Sequence, residues 1–395
     1  MASPLQPEIL IAHPWMGRGG SEATAMWALD ALQDLAKVTF TTSSPVDWQG
    51  LNAAYGSRVD PAKIRFLPAP RLPGVKSGTT LAFWQRAYFD RFCRTLGDRF
   101  DACISAYNPI RFGRPGIQLI GDFSFNEECR LRLYPHGADQ SRHRPSLLRQ
   151  CYISIGERIA GRAELPVTVP DDLVVANSRW SADVLQRMFQ IPNAPVLYPP
   201  VPASPTEAPR TRDPLGFVCL GRVVPDKEIG VIIGILDRVR EAGHPVTLDL
   251  LGHFGTGGHA RGIRRLADQR REWIRTPGFL GPREKAELFA SRSFGIHACR
   301  VEAFGIAVAE MAAAGLIPFV PREGGSQEIV TVLELIYQDP DDAVRKIIAQ
   351  IEDPAGTEIL RLVSREQAAR FSPENFARGL IGIVQGFLGH PLTPP

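Results

Sequence analysis

No apolar run in this 395-residue chain approaches the length needed to cross a bilayer. The N-terminal stretch MASPLQPEILIAHPW lacks the basic segment and long apolar core of a signal peptide. Net charge is nearly absent. Forty-five basic side chains face 42 acidic ones, and a formal charge of +3 leaves no electrostatic footprint for nucleic acid. Cysteine is sparse and unpaired in pattern. Cys93, Cys103, Cys129, Cys151, Cys219 and Cys299 contain no CxxC, so neither a disulfide framework nor a metal site is expected. These absences point to a cytoplasmic protein in a reducing compartment. With 44% hydrophobic and 22% charged residues, the chain is an ordinary globular one, long enough for two domains.

The hydrophobic pattern begins with EILIAHP, a buried strand. GRGGSEATAMWALDALQDL follows, with glycines and then helical spacing at Ala23, Trp27, Leu29, Leu32 and Leu35. KVTFTTSS is the next strand, and this strand–loop–helix–strand start marks a doubly wound α/β domain. Further strands are expected in DACISAY, GIQLIGDFSF, DDLVVANS and APVLYPP. A stretch rich in proline, threonine and charge, PPVPASPTEAPRTRDP, then reads as a linker. After it the pattern restarts with strands in GFVCLGR, VTLDLLG, FGIHAC and IPFVP, and helices between them. The stretch RGIRRLADQRREWIR reads as a solvated helix. The expected fold is therefore two Rossmann-like α/β domains facing across a cleft, with ligand-binding loops at the carboxyl ends of strands. The expected boundaries are 1–199, a linker at 200–213, 214–370, and a C-terminal helix at 371–395.

Three groups of residues stand out. In CRVEAFGIAVAEMAAAGLIPF, Glu302 and Glu310 lie in an apolar, alanine-rich run, where a carboxylate needs a partner. On one ideal helix they would point roughly 80° apart. A loop at RVEAFG with the helix starting near Ile306 instead places Glu302 on the loop and Glu310 about one turn in, beside the N–H groups of Phe304, Gly305 and Ile306. The alternative is a water-exposed loop glutamate and a solvated helix glutamate. In CLGRVVPDKEIG, Arg222 and Lys227 follow a strand and precede a helix, which suits a diphosphate; two solvated cations in a turn is the other reading. In GRGGSEA, Gly19 and Gly20 would let a phosphate or sugar approach the backbone, with Ser21 capping the helix. Glu22 stands where GxGxxG needs its third glycine, and no acidic residue ends the second strand, so a dinucleotide dehydrogenase is disfavoured.

The order of these pieces carries more than any one of them. GGSE, VVANSRWSADVL, VLYPPV, LGRVVPDKEIG and EAFGIAVAEMAAAGLIPFVPREGGSQEIV together resemble the family 4 retaining glycosyltransferases of the GT-B fold. The resemblance covers most of the chain and implies that the final helix crosses back to the N-terminal domain. It implies that Glu310 holds the ribose of a nucleotide-sugar donor, UDP- or GDP-linked, and that Glu302 with the N–H groups of Phe304 to Ile306 holds donor sugar hydroxyls. It implies further that Arg222 and Lys227 bind the diphosphate, while Gly19 and Gly20 approach the phosphates from the other domain. The reaction implied is transfer of a hexose-type sugar to a hydroxyl acceptor with retention and without metal; no cofactor is implied, the nucleotide sugar being a substrate. A catalytically silent sugar-nucleotide-binding relative and a nucleotide-sugar epimerase are the alternatives. The sequence departs from the family pattern in HACRVE, where Ala298 and Cys299 replace Pro-Ser, and in QLIGDFSF, where Asp122 stands near the usual place of a histidine. Asp122 would orient acceptor or donor sugar, or cap a turn. His136 is another candidate, or a surface loop histidine. Arg130, Arg132, Arg142, Arg144 and Arg149 suggest an anionic acceptor such as an envelope polysaccharide or lipid-linked precursor, or peripheral contact with an anionic inner-membrane face; a solvated loop is the alternative.

Overall fold

The computed structural model describes residues 6–75, 81–134, 146–161, 169, 171–203 and 212–392. His136, Arg142, Arg144 and most of the expected linker (204–211) lie outside them. The chain divides into two compact units, Met1–Pro200 with Pro373–Pro395, and Val201–Ser372.

Each unit is built on a six-stranded parallel sheet. The first contains β1 (Glu8–Ala12), β2 (Lys37–Thr42), β3 (Ile64–Pro68), β4 (Ala102–Ser105), β5 (Ile117–Ile120) and β6 (Leu173–Ala176), in the order β3-β2-β1-β4-β5-β6. The second contains β7 (Asp213–Leu220), β8 (Thr247–Leu251), β9 (Ile274–Gly278), β10 (Arg292–Ile296), β11 (Ile317–Pro321) and β12 (Ile336–Tyr337), in the order β12-β11-β10-β7-β8-β9. Read from the opposite edge, the second order is the first. Both sheets thus reverse direction once, between β1 and β4 and between β7 and β10, and such a switch point is where loops diverge and ligands bind.

The central strands are buried on both faces, which explains their continuous apolar runs. In the second unit Phe217, Phe294 and Phe319 stack across neighbouring strands, with Phe217 and Phe294 centroids 5.0 Å apart. All three are essentially unexposed. In the first unit Ile9, Ile11, Met26, Leu29 and Phe40 form one core with Phe376, Leu380 and Val384 of the last helix, Pro373–Leu388. That helix therefore belongs to the first unit although it ends the chain.

Four local expectations are corrected. APVLYPP is not a strand; it makes a single bridge between Ala176 and Val196, because the prolines that follow have no N–H for a ladder. RGIRRLADQRREWIR is a helix only to Asp268 and then turns into β9; Trp273, just before the strand, and Ile274, its first residue, are buried. Ser21 does not cap the first helix, Gly20–Leu32: Gly19 is the N-cap, and the Ser21 hydroxyl donates to Glu22 Oε2. The strand in FGIHAC ends at Ile296, one residue before His297.

Candidate functional site

The candidate residues of the second unit sit on the two loops that leave the switch-point strands and on the helix that follows the second. Arg222 and Lys227 follow β7, and Glu302 follows β10. The first loop is shaped by backbone. Gly221 has φ 156 and Gly252, after β8, has φ 134; a Cβ on Gly252 would fall 1.9 Å from the Gly221 carbonyl oxygen. Val223 N–H donates to the His253 carbonyl at 3.1 Å and fixes the loop further. The second loop is held from behind by Gly324 and Gly325. Gly325 N–H donates to the Glu302 carbonyl at 2.7 Å, and a Cβ there would meet the Ala303 carbonyl at 2.2 Å.

Two ion pairs clip these loops together. Lys227 Nζ donates to Glu302 Oε2, and Arg300 Nε lies 3.6 Å from Glu228 Oε2. Glu228 holds a left-handed conformation (φ 47), uncommon for a non-glycine residue. Lys227 and Glu302 are only 23% and 18% exposed. Burial would lower the lysine pKa, but the Glu302 carboxylate outweighs it and pushes the ammonium up to about 12. Burial would likewise raise Glu302, yet Lys227 and His297 hold its carboxyl well below the usual range. Arg222 is exposed and takes part in none of the described ion pairs.

Glu302 lies on the loop and the helix runs Ile306–Ala313, as the spacing predicts. Gly305 is its N-cap at φ 102, with no side-chain cap, so the first-turn N–H groups at Ile306 and Ala307 have no intrahelical partner. Glu310 is met by Lys285 Nζ, which donates to its Oε1 at 2.9 Å. Both glutamates thus have lysine partners, 75 and 25 residues away in sequence.

Sequence reasoning missed Lys285 and His297. His297 is 3% exposed, and its Nε2 lies 3.1 Å from Glu302 Oε2, the oxygen that Lys227 also uses. The contact is not aligned as a hydrogen bond. Burial pulls the ring pKa down. A lone histidine directly after the apolar run FGI was the available signal. His297, Cys299 and Glu302 bring three ligand atoms within 4.8 Å of one another, a donor set that suits zinc. A cation there would meet the Lys227 ammonium on the carboxylate oxygen it needs, and the Cys299 thiol is pushed up to about 12 by burial.

The first unit places Gly19 and Gly20 after β1 and Asp122 after β5. Gly19 N–H donates to the Tyr55 hydroxyl at 2.8 Å, and Gly17 N–H to Glu22 Oε1 at 3.2 Å. The Glu22 carboxylate, 8% exposed, thus occupies the helix end that favours an anion. Asp122 Oδ1 accepts from Ser124 N–H at 2.8 Å, the Ser124 hydroxyl at 2.7 Å and Asn108 Nδ2 at 3.4 Å, so it closes a turn. The described arginines of the basic stretch are matched by acids: Arg132 pairs with Glu128 at 2.8 Å, Arg149 with Glu127 at 2.6 Å, and Arg130 with Glu127 at 3.8 Å. Among the described residues no helix is long and apolar enough to cross a membrane.

Residues 205–371, nearly the whole second unit, match the family model described as glycosyl transferases group 1. The fold of the chain is GT-B. The structure of HepE from Anabaena in complex with UDP and glucose is similar over 96% of this chain and 99% of that one, at 15% identity and a TM-score of 0.68. WaaG, a glycosyltransferase involved in lipopolysaccharide biosynthesis, is similar over 95% and 100%, at 15% identity and 0.66. Sucrose-phosphate synthase from Thermosynechococcus elongatus is similar over 97% and 100%, at 14% identity and 0.70. No curated protein matches the chain. At these identities the likeness carries the GT-B fold.

Proposed function

We propose that the chain is a retaining glycosyltransferase that moves a hexose-type sugar from a nucleoside diphosphate sugar to a hydroxyl acceptor without a metal ion. One observation carries the reading: Arg222, Lys227 and Glu302 lie on the two loops of the switch point in the unit that matches the glycosyl transferases group 1 model. UDP is the first nucleotide to test, because HepE was solved with it, and GDP the second.

Arg222 and Lys227 bind the diphosphate and stabilise the charge that builds on it as the glycosyl–phosphate bond breaks. Glu302 and the first-turn N–H groups hold sugar hydroxyls, and Glu310 accepts hydrogen bonds from the ribose while Lys285 orients it. The acceptor oxygen bonds to the anomeric carbon on the face the phosphate leaves, and its proton passes to a departing phosphate oxygen. The nucleoside diphosphate is the other product. Asp122 orients the acceptor hydroxyl or the donor sugar, using the oxygen not engaged by Ser124 and Asn108. For Gly19 and Gly20 to receive a phosphate, Glu22 would have to leave the helix end. The acceptor class is an envelope polysaccharide or lipid-linked precursor.

Thermal unfolding against UDP, GDP and their sugars, without metal, tests the donor site. A ligand that binds the native state raises the melting temperature, by about 2.7 kcal/mol of added stability at a hundredfold excess over Kd. The stabilisation should fall in Glu310→Ala. No stabilisation by any nucleotide rejects the reading, and stabilisation without turnover to any hydroxyl acceptor turns it into a binding protein.

A further inference from the structure

Two of the proposed roles compete for one pair of atoms. Lys227 is assigned to the diphosphate and Glu302 to the sugar, yet here each is the other's partner. A lysine that turns to a diphosphate leaves behind a carboxylate only 18% exposed, and a buried carboxylate short of hydrogen bonds is costly.

The surroundings offer one replacement. The Cys299 thiol is a weak donor, and Arg300 is engaged near Glu228 and Glu323. His297 is different. Its Nε2 is buried, lacks any aligned hydrogen bond, and stands 3.1 Å from the carboxylate oxygen that Lys227 holds. Buried polar nitrogens without partners are rare in folded proteins, so this one is a donor in waiting. Its backbone is pinned on both sides. The N–H donates to the Phe319 carbonyl at 2.9 Å, and the Tyr337 hydroxyl donates to the His297 carbonyl at 2.6 Å. Only the ring needs to turn.

We infer that His297 is a positioning residue that takes over Glu302 when a nucleoside diphosphate draws Lys227 away, its neutral ring donating Nε2–H to Oε2. The inference rests on the donor-site reading above. Burial pulls the ring pKa down against the pull of the Glu302 carboxylate, so the ring is neutral near pH 7 in this state. Without His297, Glu302 would keep hold of Lys227, and the diphosphate would compete against the carboxylate.

The test is a double-mutant cycle read by calorimetric titration with UDP and with GDP. His297→Leu should weaken binding about tenfold, the size of one hydrogen bond to a charged group. His297→Gln, whose amide can donate from nearly the same place, should restore most of it. In a Glu302→Gln background, with no charge left to hold Lys227, His297→Leu should change nothing further. If the leucine variant does not fold, His297→Asn, whose amide falls short of Oε2, takes its place. A merely structural histidine would give the same loss in both backgrounds, and glutamine as poor as leucine would count equally against the inference. Wild-type protein that binds neither nucleotide rejects the donor site itself, and this inference with it.

Discussion

The two units share a strand order and differ in what they place at the same point of it. The loop after β1 carries Gly17-Arg18 just before its helix, and the loop after β7 begins Gly221-Arg222. In the first unit the protein's own Glu22 folds back onto the loop and takes its N–H group. In the second the carboxylate comes from the neighbouring loop and pairs with a lysine, leaving Arg222 exposed. One topology thus yields a loop whose backbone is met by its own helix and a loop tied to its neighbour by an ion pair. The scaffold supplies the place, and single side chains decide what can bind there.

Lys227→Ala against Glu22→Gln puts that contrast to its sharpest test. Lys227→Ala should lower sugar transfer about 100- to 1,000-fold, the usual loss of an electrostatic stabiliser of the transition state. Glu22→Gln should lower it far less. Equal losses in the two variants, measured as kcat/KM, would break the comparison. Stability gives a second contrast. Gly252→Ala forces a Cβ into the Gly221 carbonyl at a backbone angle other residues rarely adopt, and should cost about 4 kcal/mol in denaturant unfolding. At Gly19 a Cβ meets only the movable Glu22 carboxylate, 2.7 Å away, from extended backbone at φ −160, and Gly19→Ala should cost under about 1 kcal/mol.

A third contrast concerns acid. His13, after β1, is fully buried with neither ring nitrogen bonded, and burial lowers its pKa from 6.5 to about 4 despite the Glu22 charge. The unfolded chain therefore binds a proton that the folded one refuses between those values. Stability should fall as pH drops from 6.5 to 4, by at most about 3 kcal/mol, and stay flat above 6.5. His13→Phe, which keeps the ring packed on Tyr107, should remove that part of the pH dependence. An unchanged profile in the phenylalanine variant would assign the acid loss elsewhere.

Most of the sheets were legible in sequence because central parallel strands are continuous apolar runs; IPFVP coincides with β11 to the residue. The strands that escaped notice are β3, β9 and β12, and all three are edges. Their faces alternate with solvent or last only two residues, so no long apolar run announces them. The site was legible in its local part. Gly305, the helix start at Ile306 and the loop position of Glu302 follow from neighbouring residues. The partners do not: Lys285 and Lys227 reach the glutamates only because β7, β10 and the helix Pro282–Ala290 are brought together by the sheet. The short range of the sequence pattern also hid that Lys227 and Glu302, assigned to different parts of one ligand, are joined to each other.

The return of the last helix into the first unit has a consequence for synthesis on the ribosome. When the first 200 residues have emerged, their core still lacks Phe376, Leu380 and Val384. The second unit is contiguous and complete by residue 372. The usual order, in which the earlier domain finishes first, is therefore reversed: the half translated second can close on itself while the half translated first waits for the helix at 373–388.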